Sequence, residues 1–312
     1  MRSNSRALLI AAVLMAPSTL LAPSKLLAQN TLSNPAAESA RRADSDSDAD
    51  ANRPRGHVST YEMDEVLVEG QPLPLYKDDE LIGDSAQPRW TAQRLFPGTR
   101  VYAIPKGEID IEQWFRFEVP KDGGPTALTA MSEIEFGLPH RLQLDLYLVQ
   151  QRDTGVAGSG TTGNTVELRY ALANWGKLWG NPAVYLEWGS QDGAPDKIEG
   201  KVLLGDQLAP GWHWGVNLVV EQETSGARST ERAFTAGISR TIIDRKLQLG
   251  LETRLGWTDQ LGSRGHYQRD LQIGPSIQLR PLQQMHIDFA PLFGITGDSK
   301  KINAYVIFGW EF

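Results

Sequence analysis

The stretch Glu108-Ile-Asp-Ile-Glu-Gln-Trp-Phe-Arg-Phe-Glu-Val119 decides the fold. Ile109, Ile111, Phe115, Phe117 and Val119 fall on one face, and Glu108, Asp110, Glu112, Arg116 and Glu118 on the other. Successive side chains of a strand point to opposite faces, whereas a helix would scatter these residues around its circumference. The stretch is a strand with one apolar and one charged face.

The same period of two recurs toward the C-terminus. Leu142 to Leu148, Val166 to Leu172, Trp214 to Val220, Leu247 to Leu255, Leu271 to Leu279 and Ile302 to Phe312 each place apolar residues at alternate positions. Weaker segments at 126–138, 182–190, 196–206, 230–242 and 284–295 fill the gaps. The total is about twelve strands of roughly 10 to 13 residues, near the length a tilted strand needs to cross a bilayer. The connectors alternate in kind. Leu138-Pro139-His140, Asp206 to Gly211, Ile243 to Arg245 and Arg280 to Gln284 are short, with Asn174 to Asn181 a longer exception. Arg152 to Gly163, Thr224 to Ser229, Thr258 to His266 and Thr296 to Lys300 are rich in Gly, Ser and charge. The pattern predicts an all-β protein: a transmembrane antiparallel up-and-down β-barrel with both termini periplasmic.

A soluble β-sandwich also alternates. Two features favour the barrel. Trp175, Trp179, Trp188, Trp212, Trp257 and Trp310 fall near predicted strand ends, as expected of aromatic girdles at the two membrane interfaces. The ending Phe308-Gly-Trp-Glu-Phe312 resembles the C-terminal signal read by barrel-assembly machinery, which makes that machinery an expected partner through Phe312 and outer-membrane lipid the expected surroundings.

The other end of the chain sets the compartment. Arg2 and Arg6 precede the apolar run Ala7 to Ala16, and small and apolar residues follow to Ala28, so residues 1–28 read as a secretory signal peptide. No cysteine is present, which excludes a lipid-modified cysteine anchor, a disulfide scaffold and a thiolate metal site. No apolar run of about 20 residues follows the signal, so spanning helices are excluded. A net charge of −7 gives no reason to expect nucleic acid. Residues 29–105 lack periodicity and begin with a Ser-, Ala-, Asp- and Arg-rich tract, and so read as a flexible periplasmic extension ahead of a barrel at 106–312.

Function must then be read from the face turned away from lipid. The expected lumen-lining residues are Glu112, Arg116, Glu133, Glu135, Asp145, Glu167, Arg169, Glu252, Arg254, Asp270, His286 and Asp288. Acids outnumber bases there, so a water-filled lumen would favour cations, although the same charges can pair into a plug. A channel or transporter for a small solute is the leading expectation. A lipid-acting barrel enzyme is an alternative, but it needs a nucleophile with a positioned base. His57, His140, His213, His266 and His286 form no such motif. His286 and Asp288, two residues apart on one face, are the only pair that could act as an acid–base or metal couple, and the preferred reading of them is two lumen polar residues. No catalytic residue, metal ligand or cofactor is assigned. A third reading is a docking barrel. Asp64-Glu-Val66-Leu-Val68-Glu-Gly70 resembles the TonB box of energised receptors, and an extended apolar-alternating stretch can add a strand to a periplasmic partner.

Ala103 to Trp114 and Ser132 to Leu148 resemble a family of bacterial outer-membrane barrels described as phenol meta-pathway transport proteins (MetA-like). The shared features are a Pro-Lys-Gly-Glu entry to the first strand and a Glu-rich strand running into Gly-Leu-x-x-Arg-Leu-Gln-Leu. The resemblance covers residues 100 to 312. It implies an outer-membrane channel-like barrel for small hydrophobic or aromatic compounds, and it carries over no binding residues.

Overall fold

In the computed structural model, which describes residues 76–312, the alternating segments form strands and those strands close on themselves. The strands are β1 (Ile109–Val119), β2 (Ala127–Leu138), β3 (Leu142–Asp153), β4 (Thr161–Ala171), β5 (Ala183–Gln191), β6 (Lys197–Ala209), β7 (Trp212–Glu223), β8 (Thr230–Ile243), β9 (Leu247–Asp259), β10 (Gln268–Leu282), β11 (Met285–Gly294) and β12 (Ile302–Glu311). Each pairs antiparallel with its sequence neighbours. The seam between β12 and β1 runs from Ile302 opposite Val119 to Glu311 opposite Asp110. Full closure leaves no unpaired edge, which is how an all-β fold satisfies its backbone without a covering layer.

The two mouths differ. At the mouth shared by the start of β1 and the end of β12, most connections are two or three residues long, the exception being the one between Ala171 and Ala183. At the far mouth, five to eight residues join successive strands. Apolar side chains such as Ile111, Leu146, Leu186, Leu218, Leu251 and Phe289 stand exposed on the outside. The inside holds the charges.

Part of the expected flexible extension is fixed in place: residues 87–105 are packed inside the barrel, and 76–86 lie against the near-mouth turns, where Asp244 accepts the Lys77 amide and Asp79 the Gly211 amide. The chain descends past Trp90 to Phe96 and turns at Pro97-Gly98, where the Thr99 amide bonds the Phe96 carbonyl at 3.2 Å. It returns through Val101 and Tyr102 to Pro105. Pro at the second and Gly at the third position are the residues a β-turn favours. Hydrogen bonds join this hairpin to side chains of β1, β2, β3, β4, β7, β8, β9 and β10. Only the interior of a closed barrel can offer that many strands to one short segment.

Two things hold the hairpin there. Trp90, Leu95, Phe96, Val101 and Tyr102 bury their side chains against Ala171, Ala183, Tyr185 and Leu203. Burial of side chains of this size contributes on the order of 2 kcal/mol each relative to exposure. A floor of glycines makes the fit possible. Gly205, Gly215 and Gly237 lie directly opposite one another on β6, β7 and β8. A Cβ at Gly205 would come within 2.3 Å of Val101, and one at Gly237 within 2.3 Å of the Phe96 ring. Trp175, expected in an aromatic girdle, instead packs edge-on against Trp90 and Tyr102, at ring-centroid distances of 5.5 and 5.3 Å.

Replacing Gly237 by Val should push Phe96 off its seat while leaving the barrel intact. Trypsin cleavage after Arg94 and Arg100 should be slow in the wild type and fast in Gly237→Val, with the heat-modifiable gel shift of the folded barrel retained.

Candidate functional site

Antiparallel register places like charges opposite one another around the inner wall. Asp110 and Glu112 on β1 face Glu135 and Glu133 on β2, and Glu135 faces Asp145 on β3. The series continues through Glu167, Glu187, Glu199, Glu221 and Glu231, each directly opposite the last, on β4, β5, β6, β7 and β8. Because strands tilt in a barrel, this row climbs along it. Glu135 lies three residues from the Leu138 end of β2, near the termini, whereas Glu231 lies at the far-mouth end of β8. Like charges directly opposite each other are destabilising, so the row needs counter-ions.

The strands supply some of them. Arg169 pairs with Glu167 and with Asp145 (3.4 Å), Lys201 with Glu199 (2.6 Å), and Arg254 with Glu231 and with Asp270 (2.8 Å). Arg116 contacts Glu118 at 3.5 Å. The lower end of the row is neutralised by the hairpin. Arg94 donates from Nε to Glu112 Oε1 at 2.8 Å, while its Nη2 lies 2.7 Å from Glu112 Oε2, a two-point fork. The same Nη2 reaches Glu135 and, at 3.4 Å, Glu133. Arg100 donates to Glu133 at 2.9 Å and to the Tyr147 hydroxyl at 3.2 Å. Both guanidiniums lie near the Trp114 ring, at 4.3 and 5.7 Å from its centroid. Burial opposes the charge on Arg100, but Glu135 and Glu133 outweigh it and hold the group well above its ordinary value.

Glu252, on the opposite wall, accepts the Gly98 amide at 2.8 Å. Asn217 closes a two-way clasp on the Arg100 backbone, accepting at 2.8 Å and donating at 2.6 Å. His286 sits between two carboxylates, with Nδ1 2.5 Å from Asp288 Oδ2 and Nε2 3.4 Å from Glu112 Oε1. It reaches Glu112 across Gly309, where a Cβ would lie 1.7 Å from the ring nitrogen. Gln278 bonds both Asp288 (2.9 Å) and the Arg94 carbonyl (3.0 Å). His286 thus bridges Asp288 and Glu112 beneath the hairpin.

Of the residues expected at the lumen, Glu112, Glu133, Glu135, Asp145, Glu167, Arg169, His286 and Asp288 gather around the hairpin as one buried network. Glu252 touches only the hairpin tip. Arg116, Arg254 and Asp270 stand half-buried toward the far mouth. Asp64, Val66 and Val68 lie outside the described residues, as does the signal segment. Sequence reasoning missed Arg94, Arg100, Trp114 and Gln143. The available signal was the inner acid excess itself, which the strands alone do not balance.

At the near mouth, Glu108 is pushed up to about 7, first by burial and then by the neighbouring Glu311, against the pull of Arg89.

No protein-family model matches the sequence, and no match is found among curated proteins. Among solved structures the chain is similar to a NanC porin, with 12% identity, a TM-score of 0.46, and coverage of 64% of this chain and 97% of that one. It is similar to a KdgM porin at 7% identity and a TM-score of 0.44, covering 65% and 98% of the two chains. LpxR from Salmonella typhimurium matches at 9% identity and a TM-score of 0.40, covering 66% and 99%. At these scores the likenesses carry no argument, and the fold rests on the strand pairing itself.

Arg94→Ala removes the cation shared by three buried carboxylates and leaves Glu133 and Glu135 to Arg100 and Glu112 to His286, a change that costs at most ~3–5 kcal/mol. The temperature of the heat-modifiable transition should therefore fall, and Arg94→Lys should restore only part of it, because an ammonium cannot make the fork on Glu112. For Glu108 the acid form is favoured in the folded state, so its stabilisation is complete below the ordinary carboxylate range and is lost as pH rises toward and through 7. Glu108→Gln should raise the transition temperature at pH 8 and leave it nearly unchanged at pH 4.5.

Proposed function

We propose that this chain is an outer-membrane passage for small cationic solutes, held closed at its near mouth by its own N-terminal hairpin. The observation that carries the reading is the unbroken row of carboxylates from Asp110 to Glu231, which links the closed end to the far mouth. In a water-filled lumen such a row concentrates cations and repels anions. The exposed apolar outer face fits lipid surroundings, and the short connections at the termini end fit a periplasmic near mouth. A hydrophobic or aromatic solute, implied by the resemblance at Ala103 to Trp114, suits a carboxylate-lined route less well, although Trp114, Tyr305, Ile307 and Leu292 do form one apolar strip of inner wall. Two buried histidine–carboxylate couples occur among the described residues: His286 between Asp288 and Glu112, and His213, with Nε2 3.1 Å from Asp79 and Nδ1 3.5 Å from the Ser239 hydroxyl. The carboxylate row, which neither couple explains, is what favours passage over catalysis.

Planar-bilayer recording tests this. Wild-type protein should stay mostly closed, and Gly237→Val should open in discrete steps whose reversal potential in a salt gradient reports cation selectivity. A correctly folded Gly237→Val barrel that stays silent, or that passes anions preferentially, would overturn the proposal.

A further inference from the structure

The contacts of Arg94 and Arg100 describe a receptor as well as a latch. Glu112 presents both oxygens to one edge of a guanidinium, with the Trp114 ring face 4.3 Å away. Trp114 is itself held in place by donating from Nε1 to Glu112 at 2.8 Å. Glu135 and Glu133 accept from the other edge of the Arg94 guanidinium, while Glu133 and the Tyr147 hydroxyl accept from Arg100 beside it. The carboxylate oxygens of Glu112, Glu133 and Glu135 lie within 4.8 Å of one another, converging on one cation. A planar, weakly hydrated fork that stacks on an aromatic ring matches this arrangement, whereas a compact ammonium satisfies only its charge.

The hairpin does not complete the site. A cavity of about 30 Å³ remains between it and the wall, bordered by Arg94, Asp110, Glu112, Glu135 and Arg169. Asp110 Oδ1 and Arg94 Nη1 are both buried there without a hydrogen-bond partner. Asp110 is only 4% exposed, so an acceptor stays unused beside the guanidinium. Buried acceptors are rarely left unpaired. The hairpin therefore leaves one acceptor and one donor unmatched at this wall.

We propose that Glu112, Trp114, Glu133, Glu135 and Tyr147 form a binding site for small guanidinium-bearing solutes, and that Arg94 and Arg100 occupy it from within the same chain as stand-ins for that ligand. The proposal rests on the reading of the hairpin as a closure and names the class of solute that the closed passage would take. Entry of such a solute competes directly with the hairpin, so ligand binding and opening are one equilibrium.

The test uses full-length Arg94→Ala/Arg100→Ala protein, refolded and checked by heat modifiability, with methylguanidinium and methylammonium as equally charged probes. Methylguanidinium at millimolar concentration should raise the double variant's transition temperature and block its current, leaving the wild type unchanged. Methylammonium should be about 10-fold weaker, and adding Trp114→Leu should erase most of that difference, as expected for loss of a desolvated cation–π contact. Equal effects of the two probes, or none from either, would overturn the guanidinium site. The arms separate the two readings: a double variant that conducts no better than wild type removes the closure proposal, while the thermal shift still decides the site. If the double variant does not refold, the same titration is made on Gly237→Val, which keeps both arginines but displaces them. Stabilisation of that variant by methylguanidinium over methylammonium supports the site, and its absence rejects it.

Discussion

Everything inside this barrel depends on where positive charge can be found for buried carboxylates. Arg94 is the clearest case: one guanidinium answers Glu112, Glu133 and Glu135 on two adjacent strands. Breaking such a cluster by removing the cation is far more costly than never having built it, because the carboxylates remain in a medium that solvates them poorly. The barrel wall and the hairpin are therefore interdependent. The wall carries acids that the strands alone do not balance, and the hairpin carries arginines that would be poorly placed anywhere else in a low-dielectric interior.

The inner surface is consequently not uniform around its circumference. From β1 to β8 it is a climbing row of acids with Arg169 and Lys201 interspersed, and Arg254 on β9 reaches its upper end at Glu231. Beyond His286 and Asp288, an apolar strip of inner wall runs over β11, β12 and the adjoining part of β1, with Leu292, Tyr305, Ile307 and Trp114 in contact. Along the axis there is a second division. Below the Pro97-Gly98 turn the interior is packed. Above it, Glu187, Glu199, Glu221 and Asp270 remain partly exposed.

The strands were legible in the sequence because a two-residue period admits only one arrangement of faces, and the same alternation told which residues point inward. Boundaries and strand number followed from the turn residues between them. The hairpin was not legible. Trp90, Leu95, Phe96, Val101, Tyr102 and Ile104 are spaced irregularly between prolines and a glycine, which reads as linker because no regular element generates that spacing. Its seat is just as hidden. Gly205, Gly215 and Gly237 are widely separated in sequence and become a floor only when the register sets them side by side. The pairing of His286 with Asp288 could be read from their spacing. The third member, Glu112, could not, because it joins them across the barrel seam through the gap at Gly309.

The hairpin also runs directly into the first strand. Only Lys106, Gly107 and Glu108 separate Pro105 from Ile109, and the Gly107 amide is fixed to the Gly137 carbonyl at 2.8 Å. A segment leashed this closely cannot diffuse away when it leaves the lumen. Its local concentration at the mouth is on the order of millimolar or higher, as for any ligand on a short tether. On the proposal that the hairpin leaves the lumen, reclosure would be a first-order event, independent of how much protein the membrane holds, and a competing solute would work against a rival always present at the same strength. The span of those three residues sets the concentration at which any such solute begins to matter.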